Sequence, residues 1–198
     1  MYSRYQALIF DMDGTIINSL PTHQKAWEQI LCKYKIPYTP KQMIYLNGWP
    51  SYQTVEYLCQ QANITEMDIA QVSQEKEQLY NRLAPDSVTT TPVVDIVKEY
   101  ASQKLLALGT GASTKEAVRL LTILGIKNYF QAIVGADQVI DHKPAPDTFL
   151  QCASLLAVKP EDCIVFEDAE AGFSAAKSAG MDFVDARTIW QGNYFINA

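Results

Sequence analysis

The sequence predicts an α/β fold, with a parallel sheet flanked by helices and a helical unit inserted after the first strand. Two observations carry this prediction. From residue 105 onward, short apolar runs alternate with helical patterns, which is typical of repeated β-α-β units. Between 17 and 86, only helical periodicity is present. We therefore expect a core formed by 1–16 and 87–198 and an inserted helical unit formed by 17–86.

The elements follow from local patterns, taken in chain order. A buried strand is predicted at 7–10, where the apolar run Ala7-Leu8-Ile9-Phe10 stands. Apolar residues at helical spacing predict the helices of the insert at 20–34, 51–61 and 66–83. The stretch 84–92 is rich in threonine and proline and is expected to end the insert.

The second half of the core has shorter elements. Apolar runs predict further strands at 105–108, 132–134, 163–166 and 183–184. Helices are predicted between and after them at 114–124, 146–157 and 170–179. Gly125 and Gly180 follow two of these helices, as glycine commonly does at helix ends.

Composition excludes several classes of protein. A chain of 198 residues, 48% hydrophobic and 19% charged, can form one α/β core and a small inserted unit. A net charge of -6 argues against nucleic-acid binding, which needs clustered lysine and arginine. Four scattered cysteines and two histidines indicate neither a disulfide framework nor a zinc site. Without an apolar run of membrane-spanning length or a signal peptide, we expect a cytoplasmic protein with no membrane partner. Separately, we expect a monomer.

Two aspartates directly follow the first predicted strand. Asp11 and Asp13 stand one position apart, and Gly14 lets the chain turn sharply away. Both carboxylates are expected at the carboxyl end of a parallel strand, where open α/β sheets place their ligands. Asp also caps helices and ends strands, so the pair alone does not distinguish a site from a turn. As a site, clustered carboxylates favour Mg²⁺ and a metal-assisted reaction with an aspartate nucleophile.

A loop of small residues follows the predicted strand at 105–108. It reads Gly109-Thr110-Gly111-Ala112-Ser113 and precedes a predicted helix. A hydroxyl and backbone N–H groups at a helix N-terminus can bind an anion, because orphan N–H groups and the helix dipole both favour negative charge. Such loops are more often plain turns, so this motif is weak by itself.

Two further motifs carry charge. Lys143 stands between His142 and Pro144-Ala145-Pro146, and the prolines restrict the backbone around it. A loop lysine is usually solvated. Beside an acidic cluster and a phosphate, however, its positive charge would neutralise the negative charges of the carboxylate nucleophile and of the phosphoryl group. Glu167 and Asp168 end a predicted buried strand, where the chain can turn both carboxylates toward one ion.

Taken together and in this order, the four motifs resemble those of the haloacid dehalogenase (HAD) superfamily, specifically its phosphatases, over the entire chain. The resemblance implies a Rossmann-like HAD core with an inserted α-helical cap of the C1 type. It also implies two in-line phosphoryl transfers, with Asp11 as nucleophile and Asp13 as general acid and then base. Lys143 and Thr110 are implied to stabilise the phosphoryl oxygens, assisted by the backbone at 111–112, that is, by Gly111 and Ala112.

The same resemblance implies a Mg²⁺ cofactor. Asp168 is expected to bind the ion directly and Glu167 through water. The carboxylate of Asp11 and the main-chain oxygen of Asp13 complete the implied protein ligands.

The substrate class is implied by the insert. A helical insert right after the first motif resembles the HAD group that contains β-phosphoglucomutase and small sugar-phosphate phosphatases. The segments 141–149 and 47–48 resemble most the fructose-1-phosphatase/6-phosphogluconate phosphatase type, so the expected substrate is a small phosphorylated metabolite of that kind. His23, Asn47 and Lys76 are the expected substrate contacts. For His23 with Trp27 plain core packing is an equal alternative, and a helix-surface lysine such as Lys76 is usually solvated.

Three other functions are alternatives to the phosphatase. A phosphomutase shares every core residue, but mutases of this group hold a second phosphate with an arginine after the Leu-x-Gly turn, and segment 46–52 contains none. A non-enzymatic receiver-type phosphoacceptor also combines Mg²⁺, acids, a hydroxyl and a lysine. Its phosphorylated aspartate lies on the third strand, whereas the D-x-D-G-T motif here follows the first. A true dehalogenase does not need Asp13, because it has no leaving alkoxide to protonate.

Overall fold

The structure is a computed structural model that describes residues 2–46 and 49–190. In chain order its strands and helices are β1 (Ala7–Phe10), β2 (Ile17–Asn18), α1 (Leu20–Lys33), α2 (Pro40–Tyr45), α3 (Ser51–Gln61), α4 (Ile69–Ser87), β3 (Thr89–Thr90), α5 (Val93–Tyr100), β4 (Leu105–Gly109), α6 (Thr114–Ile123), β5 (Ala132–Val134), α7 (Asp147–Leu155), β6 (Cys163–Glu167), α8 (Glu170–Ser178) and β7 (Asp182–Asp185).

The chain divides into two compact units. Among the described residues, the first contains 2–18 and 89–190, and the second contains 19–46 and 49–88. The boundaries expected from the sequence, 17 and 86, lie two residues earlier. The difference arises because β2 and β3, which were not predicted, pair antiparallel at 17–18 and 89–90 and so belong to the first unit.

A five-stranded parallel sheet forms the centre of the first unit, with the order β5-β4-β1-β6-β7. Strand β1 lies in the middle, and all four of its side chains are fully buried. This burial on both faces explains its uninterrupted apolar sequence. One layer of the core packs Ile9, Val165 and Val134 of the sheet against Phe149 and Cys152 of α7 and small residues of α8.

In its described ranges, 19–46 and 49–88, the second unit contains helices α1 to α4. Trp27 and Leu31 of α1 pack with Leu58 of α3 and Val72 of α4 around a common apolar core. Helix α2 was not predicted, although Thr39 and Gln42 form a capping box at its start. Helix α4 runs through Pro85 to Ser87, four residues beyond the predicted helix end at 83, although the unit boundary after Val88 lies within the stretch 84–92 that was expected to end the insert. A proline this close to a helix end removes only one backbone hydrogen bond.

The remaining elements agree with the sequence pattern to within a few residues, except that α5 was not predicted. This helix has only eight residues, and the Thr/Pro-rich stretch directly before it gave no signal for a helix start. No helix among the described residues is long and apolar enough to cross a membrane.

Candidate functional site

The register of the central strands aligns the predicted acidic motifs. Phe10 of β1 pairs with Leu108 of β4 on one side and with Phe166 of β6 on the other. The residues that follow therefore emerge side by side at the carboxyl edge of the sheet. Asp11 extends the ladder by one step, because its N–H donates to the carbonyl of Phe166 at 2.9 Å.

Lys143 connects three of these strand ends. Its Nζ donates to Asp11 Oδ1 at 2.6 Å, to Glu167 Oε1 at 2.9 Å and to the carbonyl oxygen of Gly109 at 3.1 Å. The ammonium also lies 4.7 Å from the centre of the Phe149 ring, a cation–π contact. Its side chain is only 12% exposed, so this lysine is a buried counter-charge rather than a solvated loop residue.

The electrostatics of the cluster leave it short of positive charge. Burial, followed by the charges of Glu167 and Asp168, raises the pKa of Asp11 well above its ordinary value, although Lys143 acts in the opposite direction. Burial alone would lower the pKa of Lys143, but the carboxylates of Asp11 and Glu167 outweigh it, and the pKa is raised. One ammonium thus faces several carboxylates, an arrangement that favours binding of a further cation.

Glu167 is held at both oxygens. While Oε1 accepts from Lys143, Oε2 accepts from the backbone N–H groups of Asp168 at 2.6 Å and Ala169 at 2.7 Å. Gly172 in the first turn of α8 provides the space, because a Cβ there would stand 1.8 Å from Oε1. The Glu167 carboxylate therefore has a fixed position with few lone pairs left for a ligand.

Three carboxylates form a possible metal site. Asp11, Glu167 and Asp168 each offer an oxygen, and these atoms lie within 4.8 Å of one another. Asp168 Oδ1 accepts a hydrogen bond from Thr15 Oγ1 at 3.1 Å. Gly14, with φ +83°, allows close approach of this carboxylate, since a Cβ would lie 2.3 Å from Asp168 Oδ2. A set of hard oxygen donors beside the Lys143 ammonium fits a divalent cation.

The Thr110 loop differs from the sequence-based expectation that the backbone N–H groups of Gly111 and Ala112 both face a phosphate. The N–H of Ala112 donates to Thr110 Oγ1 at 3.0 Å. Because the hydroxyl accepts this bond, its own proton remains to donate to a ligand. Among residues 2–46 and 49–190, a Cβ on Gly111 would meet nothing within 4 Å.

The first turn of α6 is already capped by protein groups. Ser113 Oγ accepts from the N–H of Glu116 at 3.3 Å, and Asp137 Oδ1 accepts from the N–H of Thr114 at 2.6 Å. Any anion binding here therefore involves the loop that precedes the helix, rather than the helix N-terminus as the sequence had suggested.

The predicted substrate contacts His23, Lys76 and Asn47 fall into two cases. His23 and Lys76 meet within the second unit, where Lys76 Nζ lies 3.0 Å from His23 Nδ1. The ammonium also lies near the rings of Trp27 and Tyr80, and only 3% of Lys76 is exposed, so it is not the solvated lysine considered above. Burial, followed by the charge of Lys76, lowers the pKa of His23 to about 3, so the ring is neutral and accepts from the ammonium. Asn47 lies outside the described residues.

Asp13 is half-buried just beyond β1 and forms an isolated bridge with Ile17. This bridge places the second aspartate of the motif in the tight turn that leads into β2.

Sequence reasoning assigned no role at the site to four residues that lie around it. These are Thr15, Asp137, Phe149 and Gly172. Only Gly172 carried a usable signal, because glycine is unfavourable within a helix and its presence there indicates a close neighbour.

Comparison with known proteins agrees with this geometry. Residues 8–186 match the family model "Haloacid dehalogenase-like hydrolase". The chain is 45% identical over 189 residues to "Fructose-1-phosphate phosphatase YqaB" of Escherichia coli, covering 96% of this chain and 100% of that protein. It is 31% identical to "Beta-phosphoglucomutase" of Bacillus subtilis, covering 89% of this chain and 80% of that protein.

A solved structure shares the fold. A predicted phosphoglycolate phosphatase from Haemophilus somnus superposes with a TM-score of 0.80 at 23% identity, covering 91% of this chain and 84% of that one. The family match spans nearly the whole chain and includes all four motifs. This protein therefore belongs to the haloacid dehalogenase-like hydrolase family.

Proposed function

We propose that this protein is a Mg²⁺-dependent phosphatase that hydrolyses small sugar phosphates, with fructose 1-phosphate or 6-phosphogluconate as substrate. The observation that carries the proposal is the buried Asp11 carboxylate, which Lys143 holds at the end of the central strand. The similarity to a protein named fructose-1-phosphate phosphatase supports the substrate class.

The reaction begins with attack of Asp11 on phosphorus, which forms an aspartyl-phosphate. Lys143 neutralises the nucleophile and the phosphoryl oxygens together, because its ammonium already lies 2.6 Å from Asp11. The Thr110 hydroxyl oxygen already accepts from the N–H of Ala112, and its proton donates to an equatorial oxygen of the phosphoryl group.

Asp13 moves the protons. In the first step it protonates the departing sugar oxygen, and in the second it takes a proton from the water that attacks the aspartyl-phosphate. Its place two residues after the nucleophile, in the turn beyond β1, supports this assignment.

Asp11, Asp168 and the main-chain oxygen of Asp13 would hold Mg²⁺ directly, and Glu167 would contribute through water. The engagement of both Glu167 oxygens by protein donors supports an indirect role. The chemistry that a bound Mg²⁺ supplies is screening of the repulsion between a carboxylate nucleophile and a phosphate dianion.

Lys76, His23 and Asn47 are proposed to contact the substrate. A buried ammonium fixed by His23 and by Glu77 Oε1 at 3.1 Å suits an anionic or hydroxyl-rich sugar end. Replacing Lys76 with methionine tests this: we expect the KM for the sugar phosphate to rise while kcat for p-nitrophenyl phosphate is retained.

We also propose that the protein acts as a monomer on a diffusible metabolite in the cytoplasm, without a nucleic-acid or membrane partner. Its net charge of -6 supports the absence of a nucleic-acid partner. Size-exclusion chromatography with light scattering tests the monomeric state.

A β-phosphoglucomutase activity is the second candidate, because a protein of that name is 31% identical. The absence of arginine from segment 46–52 argues against it, since a second phosphate would lack its bidentate partner. Both activities can be followed by ³¹P NMR in Mg²⁺. We expect steady release of inorganic phosphate from fructose 1-phosphate or 6-phosphogluconate. Rapid conversion of β-glucose 1-phosphate, primed with the 1,6-bisphosphate, into glucose 6-phosphate with little free phosphate would instead establish the mutase.

A further inference from the structure

The loop that carries Thr110 is attached to the end of the neighbouring strand β5. The N–H of Thr110 donates to the carbonyl of Val134 at 2.9 Å, and the N–H of Ala136 donates to the carbonyl of Ala112 at 2.8 Å. These bonds run in opposite directions and lie on either side of Gly111. The loop is therefore hydrogen-bonded to the end of β5 both before and after Gly111.

A side chain adds a third attachment. Asp137 Oδ1 accepts from both the N–H of Thr114, at 2.6 Å, and its hydroxyl, at 2.9 Å. The N–H of Thr114, followed by its hydroxyl, lowers the pKa of Asp137, so the acceptor is a carboxylate at neutral pH. Thr114 is the first residue of α6, and this contact joins the start of the helix to the loop after β5.

Close approach of the two loops depends on Gly135. A Cβ at this position would stand 2.2 Å from the backbone nitrogen of Thr114 and 2.7 Å from the carbonyl carbon of Ser113. Both atoms belong to the backbone, so neither can rotate away. Any larger residue must push the loops apart.

We propose that Asp137 and Gly135 are positioning residues for phosphate binding: they brace loop 110–114 against the end of β5 so that the Thr110 hydroxyl points its proton at the phosphoryl group. This inference rests on the proposed function, in which Thr110 contacts a phosphoryl oxygen. Neither residue need touch the substrate.

The test compares Asp137→Ala with Asp137→Asn in the Mg²⁺-loaded full chain. The inhibition constant of inorganic phosphate and kcat/KM for fructose 1-phosphate are measured for both. Asp137→Ala should weaken phosphate inhibition and lower kcat/KM by about tenfold, the effect of losing one good hydrogen bond at the site. Asp137→Asn keeps an oxygen that can accept from Thr114, so it should stay within about threefold of the unmodified chain.

Gly135→Ala provides an independent variant in case Asp137→Ala does not fold. Its added Cβ would stand 2.2 Å from the Thr114 nitrogen and 2.7 Å from Asp137 Oδ1, so it separates the same loops by steric clash and should weaken phosphate inhibition to a similar degree. Asp68→Ala is the matched control, because Asp68 Oδ1 caps α4 by accepting from the N–H of Gln71 at 2.9 Å. That change should lower the melting temperature and leave phosphate inhibition unchanged.

A double-mutant cycle with Thr110→Val identifies the route of the effect. If Asp137 acts through Thr110, Asp137→Ala should have little further effect in the Thr110→Val background. Unchanged phosphate inhibition in a folded Asp137→Ala or Gly135→Ala variant overturns the inference, as does an equal loss in Asp137→Asn or full additivity in the cycle. Failure of the proposed function has a different result: the unmodified chain would release no phosphate from any sugar phosphate, whereas phosphate binding could still be compared by calorimetry.

Discussion

Substituting Gly172 with alanine sets two opposing effects against each other. Gly172 lies within α8, where alanine is favoured over glycine by about 1 kcal/mol. Helix propensity alone therefore predicts a more stable protein. The added Cβ, however, would stand 1.8 Å from Glu167 Oε1 and 2.0 Å from its Cδ, so the Glu167 side chain must move.

The expected change in the free energy of unfolding follows from the hydrogen bonds that this movement breaks. Glu167 Oε2 accepts from two backbone N–H groups, and Oε1 accepts from Lys143. Hydrogen bonds to a charged group contribute about 1.5–3 kcal/mol each, so losing two of them costs about 3–6 kcal/mol. After the gain in helix propensity, we expect the free energy of unfolding to fall by about 2–5 kcal/mol.

The assay is urea unfolding of the metal-free protein, followed by tryptophan fluorescence and circular dichroism. Ser174→Ala, an exposed change on the same helix, is the control and should leave stability unchanged or slightly increased. In a Glu167→Ala background the clash is absent, so Gly172→Ala should become neutral or stabilising. The reasoning is refuted if Gly172→Ala is as stable as the unmodified chain, or if its cost is the same with and without the Glu167 side chain.

Three further predictions concern single side chains. Asp11→Asn removes the nucleophile and a metal ligand, so phosphate release should disappear while circular dichroism stays unchanged; more than a few per cent residual activity would contradict the assignment. Asp13→Asn should lower kcat for a sugar phosphate by about 10²–10⁴-fold, with a smaller loss for p-nitrophenyl phosphate, whose leaving group scarcely needs a proton. For His23, the pKa of about 3 in the fold lies below the 6.5 of the free side chain. The unfolded chain thus binds more protons between these values, and the free energy of unfolding should fall on acidification through this window by up to roughly 1.4 kcal/mol per pH unit. His23→Gln should flatten that dependence in urea titrations at several pH values.

Most of the core could be predicted because its determinants are local. The apolar run 7–10 is buried on both faces, so it contains no polar alternation and can only be a central strand or a buried helix segment. The run is only four residues long, and the turn residue Gly14 follows soon after it. Both features favour a strand over a helix. The predicted helix at 114–124 was similarly marked by the loop before it and by Gly125 after it.

Elements that depend on distant partners were missed. Strands β2 and β3 have two residues each, and they form only because they pair with one another. Residues 19–88, which include the second unit, separate them in the chain. Likewise, nothing in the local sequence around Pro85 indicates that α4 continues to Ser87, because propensity alone places a break there.

The kinds of side chain at the candidate site could be predicted, because four separated motifs place carboxylates, a hydroxyl and a lysine after predicted strands, and residue types and their order are local. The contacts that hold these groups required the folded structure. It showed that Lys143 bridges Asp11 and Glu167 and that Gly172 makes room for the Glu167 carboxylate. It also showed that Asp137 occupies the N-terminus of α6. The physical reason is that hydrogen bonds and steric contacts act over a few ångströms between residues far apart in the chain, so they are settled only when the sheet register brings those residues together.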